Sequence, residues 1–393
     1  MKGHFKKRGA SWYFWIELEP GPNGARKQKS RGGFRTRKEA ERAFAEVRDE
    51  VRRGTFVEPS RLTLSRFLEA EWFPGIRASV RPTTWEHYNR SFRNYVRPSL
   101  GRTLLPNVTP ARLNAFYADL LESGRCNGDT STPGLSPKTV KHVHTMLHKA
   151  LEDAVRWGHL ARNPVSLATP PQPRTPEMKV WTPEQLRAFV DRARSDRLFA
   201  AWLLIVTTGM RRGEVLGLSW DHVDLSRGRV SVVRNLTVVR YDRVEFSEPK
   251  TAKGRRSIAL DRATVAALTM HRKRQQEEQL GAGSSWQNGG LVFSREDGSP
   301  IHPQRFTSWF RLLGRDAGLP RIRLHDLRHS YATAALSAGI PAKVVSERLG
   351  HASIAITLDT YSHVNPAMQE EAADTVARLI LGGTSPTRRR KPA

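Results

Sequence analysis

Five prolines, Pro164, Pro170, Pro171, Pro173 and Pro176, crowd residues 163–176. Proline fixes φ and has no N–H to donate, so neither a helix interior nor a central strand passes through such a stretch. The segment is expected to be a semi-rigid spacer and the main domain boundary of the 393-residue chain. That length suits two or three domains rather than one. The punctuation on either side predicts a multidomain α+β protein. Its blocks are residues 1–60, 61–176 and 177–383, with a disordered basic tail over 384–393.

In the first block, residues 11–19 (SWYFWIELE) are aromatic and β-branched, and residues 21–24 (GPNG) read as a turn. A second, strongly basic extended stretch over 26–34 completes a hairpin signal. Thr36 with Glu39 makes a capping box for a helix running to about Arg53. The block holds 15 Lys/Arg against 8 Asp/Glu, net +7. A small sheet with one covering helix and this charge suits an accessory DNA-binding module.

The second block reads as helical. Thr63 precedes one helix, and Thr83 with Glu86 is expected to cap another. Thr109-Pro110 and Ser136-Pro137 each set an N-cap before a proline whose φ already suits the first helical position. From Pro137 to about Gly158, Val140, Val143, Met146, Leu147, Ala150, Leu151 and Val155 recur near the helical period. A polar loop is expected over 124–134. In the third block a helix starts after Thr182, in a capping box with Gln185, and a buried helix covers 200–206. Extended runs over 229–240 and 255–260 precede further helices from about Asp261. This predicts a mixed, mainly α domain with a small antiparallel sheet on one side.

The charge decides the partner. Lys and Arg number 65 against 38 Asp and Glu, a net +27. Hydrophobic residues make up 38%, below the usual share of about 45–50%. Such a surface meets polyanions, and nucleic acid is the default. The single cysteine, Cys126, excludes an internal disulfide and a Cys-based zinc finger. The longest apolar run, 198–206, is half a bilayer span, and the basic N-terminus has no apolar stretch behind it. A cytoplasmic, nucleoid-associated protein without membrane contact is expected. No HExxH, no carboxylate cluster spaced for two metals and no phosphate loop occur, so neither metal nor cofactor is expected.

An enzyme acting on DNA without a metal must neutralise phosphate charge with arginines, supply histidines for hydrogen bonding, and carry a nucleophile. The third block holds such a set. Arg211 follows a helix ending at Gly209, with Glu214 one turn later able to brace it. His325 and Arg328, three apart at the start of an apolar-periodic helix, share a face. Leu349-Gly350-His351 and Tyr361 come after. Singly, each reads more readily as ordinary surface or core. In this order they resemble the tyrosine recombinase (phage integrase) family, whose signature is TG-[LM]-R, HxLRH, LGH and a tyrosine ten residues beyond that histidine. Pro249-Lys250-Thr251 matches the family's strand-turn lysine. The resemblance is close over the third block and looser over the helical block, which looks like the family's core-type DNA-binding domain. The first block is similar to the arm-type domain of temperate phage integrases.

The resemblance implies a mechanism. Tyr361 attacks the scissile phosphodiester, forming a 3′-phosphotyrosine and releasing a 5′-hydroxyl. Arg211 and Arg328 clamp the non-bridging oxygens, and Lys250 protonates the leaving oxygen, with Lys253 on the same turn as the alternative. His325 exchanges a proton with the phenol, His351 holds a phosphate oxygen, and Glu214 orients Arg211. Arg212, His329 and His363 flank the motifs without a catalytic role. The partners implied are double-stranded attachment sites, three further protomers in a tetramer on DNA, and a directionality factor or DNA-bending protein.

For DNA binding, the first sheet offers Arg26, Lys27, Lys29, Arg31 and Arg35, and the helical block offers Arg90, Lys138, Lys141 and His142. Residues 365–381 read as an amphipathic helix that docks on a neighbouring protomer or caps its own domain. The expected function is integration or excision of a mobile element. The rivals are a type IB topoisomerase, a chromosome-dimer-resolving recombinase and a non-catalytic DNA-binding regulator.

Overall fold

A computed structural model describes residues 4–18, 27–53, 61–124, 134–174, 178–239, 243–249, 252–361 and 376–380. The chain divides into two compact units between Thr175 and Pro176.

The first unit opens with strands β1 (His4–Arg8), β2 (Ser11–Leu18) and β3 (Lys27–Phe34), antiparallel in that order. The expected hairpin therefore gains a strand at its start. Helix α1 (Arg37–Arg52) begins in the anticipated Thr36/Glu39 capping box. Phe14 and Ile16 alternate onto one face of β2 and pack against Ala40, Phe44 and Val47 of the helix. The other face stays open. Register pairs His4 with Trp15, Lys6 with Tyr13 and Arg8 with Ser11. Arg8 lies over the rings of Tyr13 and Trp15, 5.8 and 5.3 Å from their centroids.

The helical part contains α2 (Pro82–Ser91), α3 (Pro110–Ser123) and α4 (Pro137–Arg156). Residues 64–76 run as one helical stretch with a wider π-type middle turn. In α4 the apolar stripe is fully buried through Val140, Val143, Met146, Leu147, Ala150 and Leu151, and ends on Ala154 rather than Val155. Burying each Val or Leu of such a stripe contributes about 1.5–3 kcal/mol. Two expectations need correcting here. Helix α2 starts at Pro82 with Arg81 as N-cap, so Thr83 and Glu86 lie inside it and form no capping box. Proline suits the first helical position, which moves the start upstream. The spacer is also shorter than it reads. Pro164–Leu167 forms a 3₁₀ turn whose Val165 is fully buried in the helical core. Asn163 ties that turn to the His148 carbonyl and to Glu152 (3.0 and 2.9 Å).

The second unit is built around α6 (Phe199–Thr208), which follows α5 (Pro183–Ala193) and its Thr182/Gln185 capping box. Residues 200–205 of α6 are all buried, as a helix apolar on every side must be. Trp202 stacks on Phe306 of α9 (Pro303–Asp316), with ring centroids 4.1 Å apart. Short helix α7 (Arg212–Leu216) follows α6. Five short strands come next: β4 (Val223–Asp224), β5 (Arg229–Val232), β6 (Asn235–Val238), β7 (Val244–Ser247) and β8 (Arg256–Ala259). They form two antiparallel sheets, β4-β5-β8 and β6-β7, where a single small sheet was expected. The run over 229–240 breaks at Val233-Arg234. There Arg234 turns aside to the Gly217 carbonyl (2.7 Å) and over the Phe246 ring. Helix α8 (Arg262–Ala282), then α10 (Asp326–Ser337), α11 (Ala342–Leu349) and α12 (Ile354–Tyr361) complete the unit. Among the described residues no helix is long and apolar enough to cross a membrane.

Candidate active site

Three chain reversals in the second unit build one site. The first ends α6 at Gly209, whose left-handed φ of +65° lets the chain turn back. A Cβ there would meet Leu349 and Tyr331 side chains at 2.6 and 2.7 Å. Two residues on, Arg211 caps α7, and Glu214 reaches back to it. One carboxylate oxygen accepts from the Arg211 backbone N–H (2.8 Å), the other from its guanidinium (2.7 Å).

The second reversal leads into α10. Asp326 accepts from the backbone N–H and guanidinium of Arg323 (both 2.8 Å), fixing the helix start. His325 stands at the N-cap, with the His329 ring edge-on at 5.2 Å. Arg328, one turn on, is only 3% exposed. Its two terminal nitrogens donate to the carbonyls of Gly209 (2.9 Å) and Leu349 (2.6 Å).

The third reversal ends α11 at Gly350, again left-handed with φ +68°. Arg211 reaches the Gly350 carbonyl at 3.5 Å. The two arginines thus meet successive carbonyls of one turn, directly before His351. His351 Nδ1 lies 2.8 Å from Oγ1 of Thr357, a fully buried residue of α12. Tyr361 closes that helix one turn after Thr357.

Electrostatics bind the group together. His351 is pushed down to about 4 by burial and by the positive charges of Arg328 and Arg211. His325 is pushed down to about 4 by partial burial, then by His329, Arg328 and Arg211. Both rings are therefore neutral at pH 7 while no anion faces them. Burial alone would raise the Glu214 carboxyl. The hydrogen bonds and charge of Arg256, then the charge of Arg211, hold it below the ordinary range. Lys250 lies outside the described residues, as do His363, Arg26 and residues 362–375 and 381–393. Lys253 donates to the Ala352 carbonyl at 2.8 Å, beside His351. Arg212 instead ties α7 to α9 through Thr307 (2.7 Å) and the Pro303 carbonyl (3.2 Å). Outside the His351 turn, a cleft of about 450 Å³ is lined by Lys253, Arg256, Lys343 and His351 among others.

The DNA-facing candidates scatter more. Register places positions 27, 29 and 31 of β3 opposite Leu18, Ile16 and Phe14, on the helix-covered side. Arg31 is exposed at that edge, and Arg35 is exposed after the strand. The open face belongs to residues the sequence reading passed over: Lys6, Arg8, Tyr13 and Trp15. Strand alternation from Phe14 and Ile16 was the available signal. In the helical part Lys138 and His142 are exposed and Lys141 is half-buried. The His142 ring meets His87 of α2 edge-on at 5.4 Å, and Arg90 lies near enough to depress His87 after burial and His142. These four candidates therefore share one region across α2 and α4. Among the described residues no group of His, Cys, Asp or Glu is placed to hold a metal ion.

Comparison with known proteins agrees with this architecture. Residues 179–368 match the phage integrase family, residues 4–51 an arm DNA-binding domain, and residues 63–121 the N-terminal SAM-like domain of phage integrases. The XerC-like tyrosine recombinase of Caldanaerobacter subterraneus subsp. tengcongensis is 30% identical over 400 residues, covering 97% of this chain and 99% of its own. The chain belongs to the phage integrase family of tyrosine recombinases, site-specific enzymes of mobile elements that break and rejoin DNA. Among solved structures, the Tn1549 transposon integrase in complex with transposon right end DNA matches in fold. It is 21% identical with a TM-score of 0.66, over 80% of this chain and all of that one. A lambda integrase tetramer bound to a Holliday junction is 18% identical with a TM-score of 0.56, over 90% of this chain and 94% of that one.

Proposed function

We propose that this protein integrates or excises a mobile element by cleaving paired double-stranded attachment sites, with Tyr361 as nucleophile. The observation that carries the reading is the meeting of Arg211 and Arg328 on the Leu349–Gly350 turn, beside His351 and one short helix from Tyr361. The Tyr361 oxygen attacks phosphorus, the P–O5′ bond breaks, and the phenolic proton passes to the His325 imidazole. The leaving 5′ oxygen takes a proton from Lys250, or from Lys253 on the same turn. Arg211 and Arg328 stabilise the extra charge of the pentacoordinate transition state, and His351 donates to one phosphate oxygen. The phosphotyrosine keeps the ester bond energy, so rejoining to a new 5′-hydroxyl needs no nucleotide cofactor.

Four protomers act on two duplexes, an assembly supported by the lambda integrase tetramer bound to a Holliday junction. Arm and core modules hold separate DNA segments, assisted by a directionality factor or a DNA-bending protein. The arm-type match favours an integrase over a dimer-resolving recombinase. The nucleophile is tested with a nicked core-site substrate that traps covalent product. Wild type should accumulate a protein–DNA adduct and Tyr361→Phe none, with equal site binding. An adduct in the phenylalanine variant would remove Tyr361 from the scheme.

A further inference from the structure

Arg256 opens β8 with its side chain on the same inward face as Ile258 and is only 7% exposed. A charge in that position must be matched, and each of its nitrogens is spent. Nε donates to the Arg348 carbonyl (2.5 Å). Nη1 donates to Glu214 Oε1 (3.1 Å) and the Gly254 carbonyl (3.2 Å), and Nη2 donates to Glu214 Oε2 (2.9 Å). Counting the two bonds from Arg211, the Glu214 carboxylate accepts four hydrogen bonds, its full complement. It has no lone pair left for proton chemistry, and Arg211 binds it with only one guanidinium nitrogen. The second nitrogen of Arg211 is turned toward the Gly350 carbonyl.

Electrostatics would otherwise close this pair. A buried, singly paired carboxylate draws the nearest guanidinium into a bidentate fork. Arg256 occupies that fork first. It also grips the carbonyls of Gly254, in the lysine-bearing turn, and of Arg348, just before the His351 turn.

We propose that Arg256 is a positioning residue for strand cleavage: by saturating Glu214 it keeps Arg211 presented to the scissile phosphate instead of collapsed onto the carboxylate. The proposal rests on the reading of Arg211 as a phosphate clamp. With its nitrogens bonded to Glu214, Arg348 and Gly254, Arg256 is assigned to act through Arg211 and not on the phosphate itself.

The test uses the full-length chain, core-site DNA and two scissile esters, the natural phosphodiester and a methylphosphonate. The latter is neutral at the non-bridging position and makes little demand on a guanidinium clamp. Arg256→Met should slow cleavage of the natural ester about 10–100-fold while slowing the methylphosphonate less than about threefold, with DNA binding unchanged. Arg256→Lys keeps one charge but cannot span both carboxylate oxygens. It should show the same preference at smaller amplitude, and it serves if the methionine variant fails to fold. Equal slowing of both esters, or none of either, overturns the proposal. Arg211→Ala is run alongside. If it too slows both esters equally, the clamp reading itself falls; the differential in Arg211→Ala but not in the Arg256 variants overturns only the role of Arg256.

Discussion

The imidazole of His351 and the hydroxyl of Thr357 are 2.8 Å apart, joining the turn that ends α11 to the helix that ends in Tyr361. That hydrogen bond orients the ring and anchors the first turn of α12 beside the two arginines. Thr357→Val keeps shape and burial but leaves Nδ1 without its partner, a loss of about 1–3 kcal/mol. Covalent adduct formation should slow about tenfold or more while core-site affinity, measured by gel shift, stays within twofold. Unchanged cleavage would show that the ring is oriented otherwise.

Two low-pKa histidines of the site make stability depend on pH with a definite sign. His325 and His351 lie near 4 in the fold against an ordinary 6.5. The unfolded chain therefore binds protons first as pH falls. Their contribution is present above about 6.5 and is lost progressively toward pH 4. Thermal unfolding of DNA-free protein should shift downward between pH 7 and 5, and His351→Gln should flatten that slope. A slope unaltered by the substitution contradicts the assignment.

Gly350→Ala tests the turn itself. A residue with a Cβ at φ +68° costs about 1–2 kcal/mol. The added methyl would also sit 3.0 Å from both the Arg256 guanidinium and the Lys253 carbonyl. The catalytic unit should melt several degrees lower, and cleavage should fall by more than the loss of folded protein explains. Calorimetry alongside trapping assays separates the two effects.

Salt dependence tests the DNA-facing helices. Lys138 is exposed at the start of α4. If it meets a phosphate, Lys138→Ala should weaken binding about uniformly across sequences. It should also reduce the slope of log K against log salt by about one. On the arm sheet, Lys6→Ala should do the same for arm-site DNA, and a substitution at Arg31 on the helix-covered side should do less. The reverse ranking would move the arm contact to the β3 edge.

Much of the fold was legible because it rests on local rules. The Thr36/Glu39 and Thr182/Gln185 boxes, the proline-started helices and the apolar stripe of α4 each follow from neighbours within a turn or two. The open arm face was missed because β1 carries too few apolar residues to announce a strand, and its pairing with β2 settles which residues face out. The 3₁₀ turn at Val165 was missed because proline content reads as spacer until a core accepts the valine.

The site divides the same way. The order and spacing of Arg211, His325, Arg328, His351 and Tyr361 carried the resemblance to tyrosine recombinases, and with the charge of +27 pointed to strand transfer on a polyanionic substrate. Motifs of that kind are short, and their meaning lies in their joint order along the chain. How Arg328 becomes buried against two carbonyls, and why Arg256 rather than its neighbour Arg255 joins Glu214, required the folded chain. Those contacts span from 21 to 119 positions in sequence. No local pattern encodes them, because only the packing of α6, α7, β8, α10 and α11 brings their ends to one point.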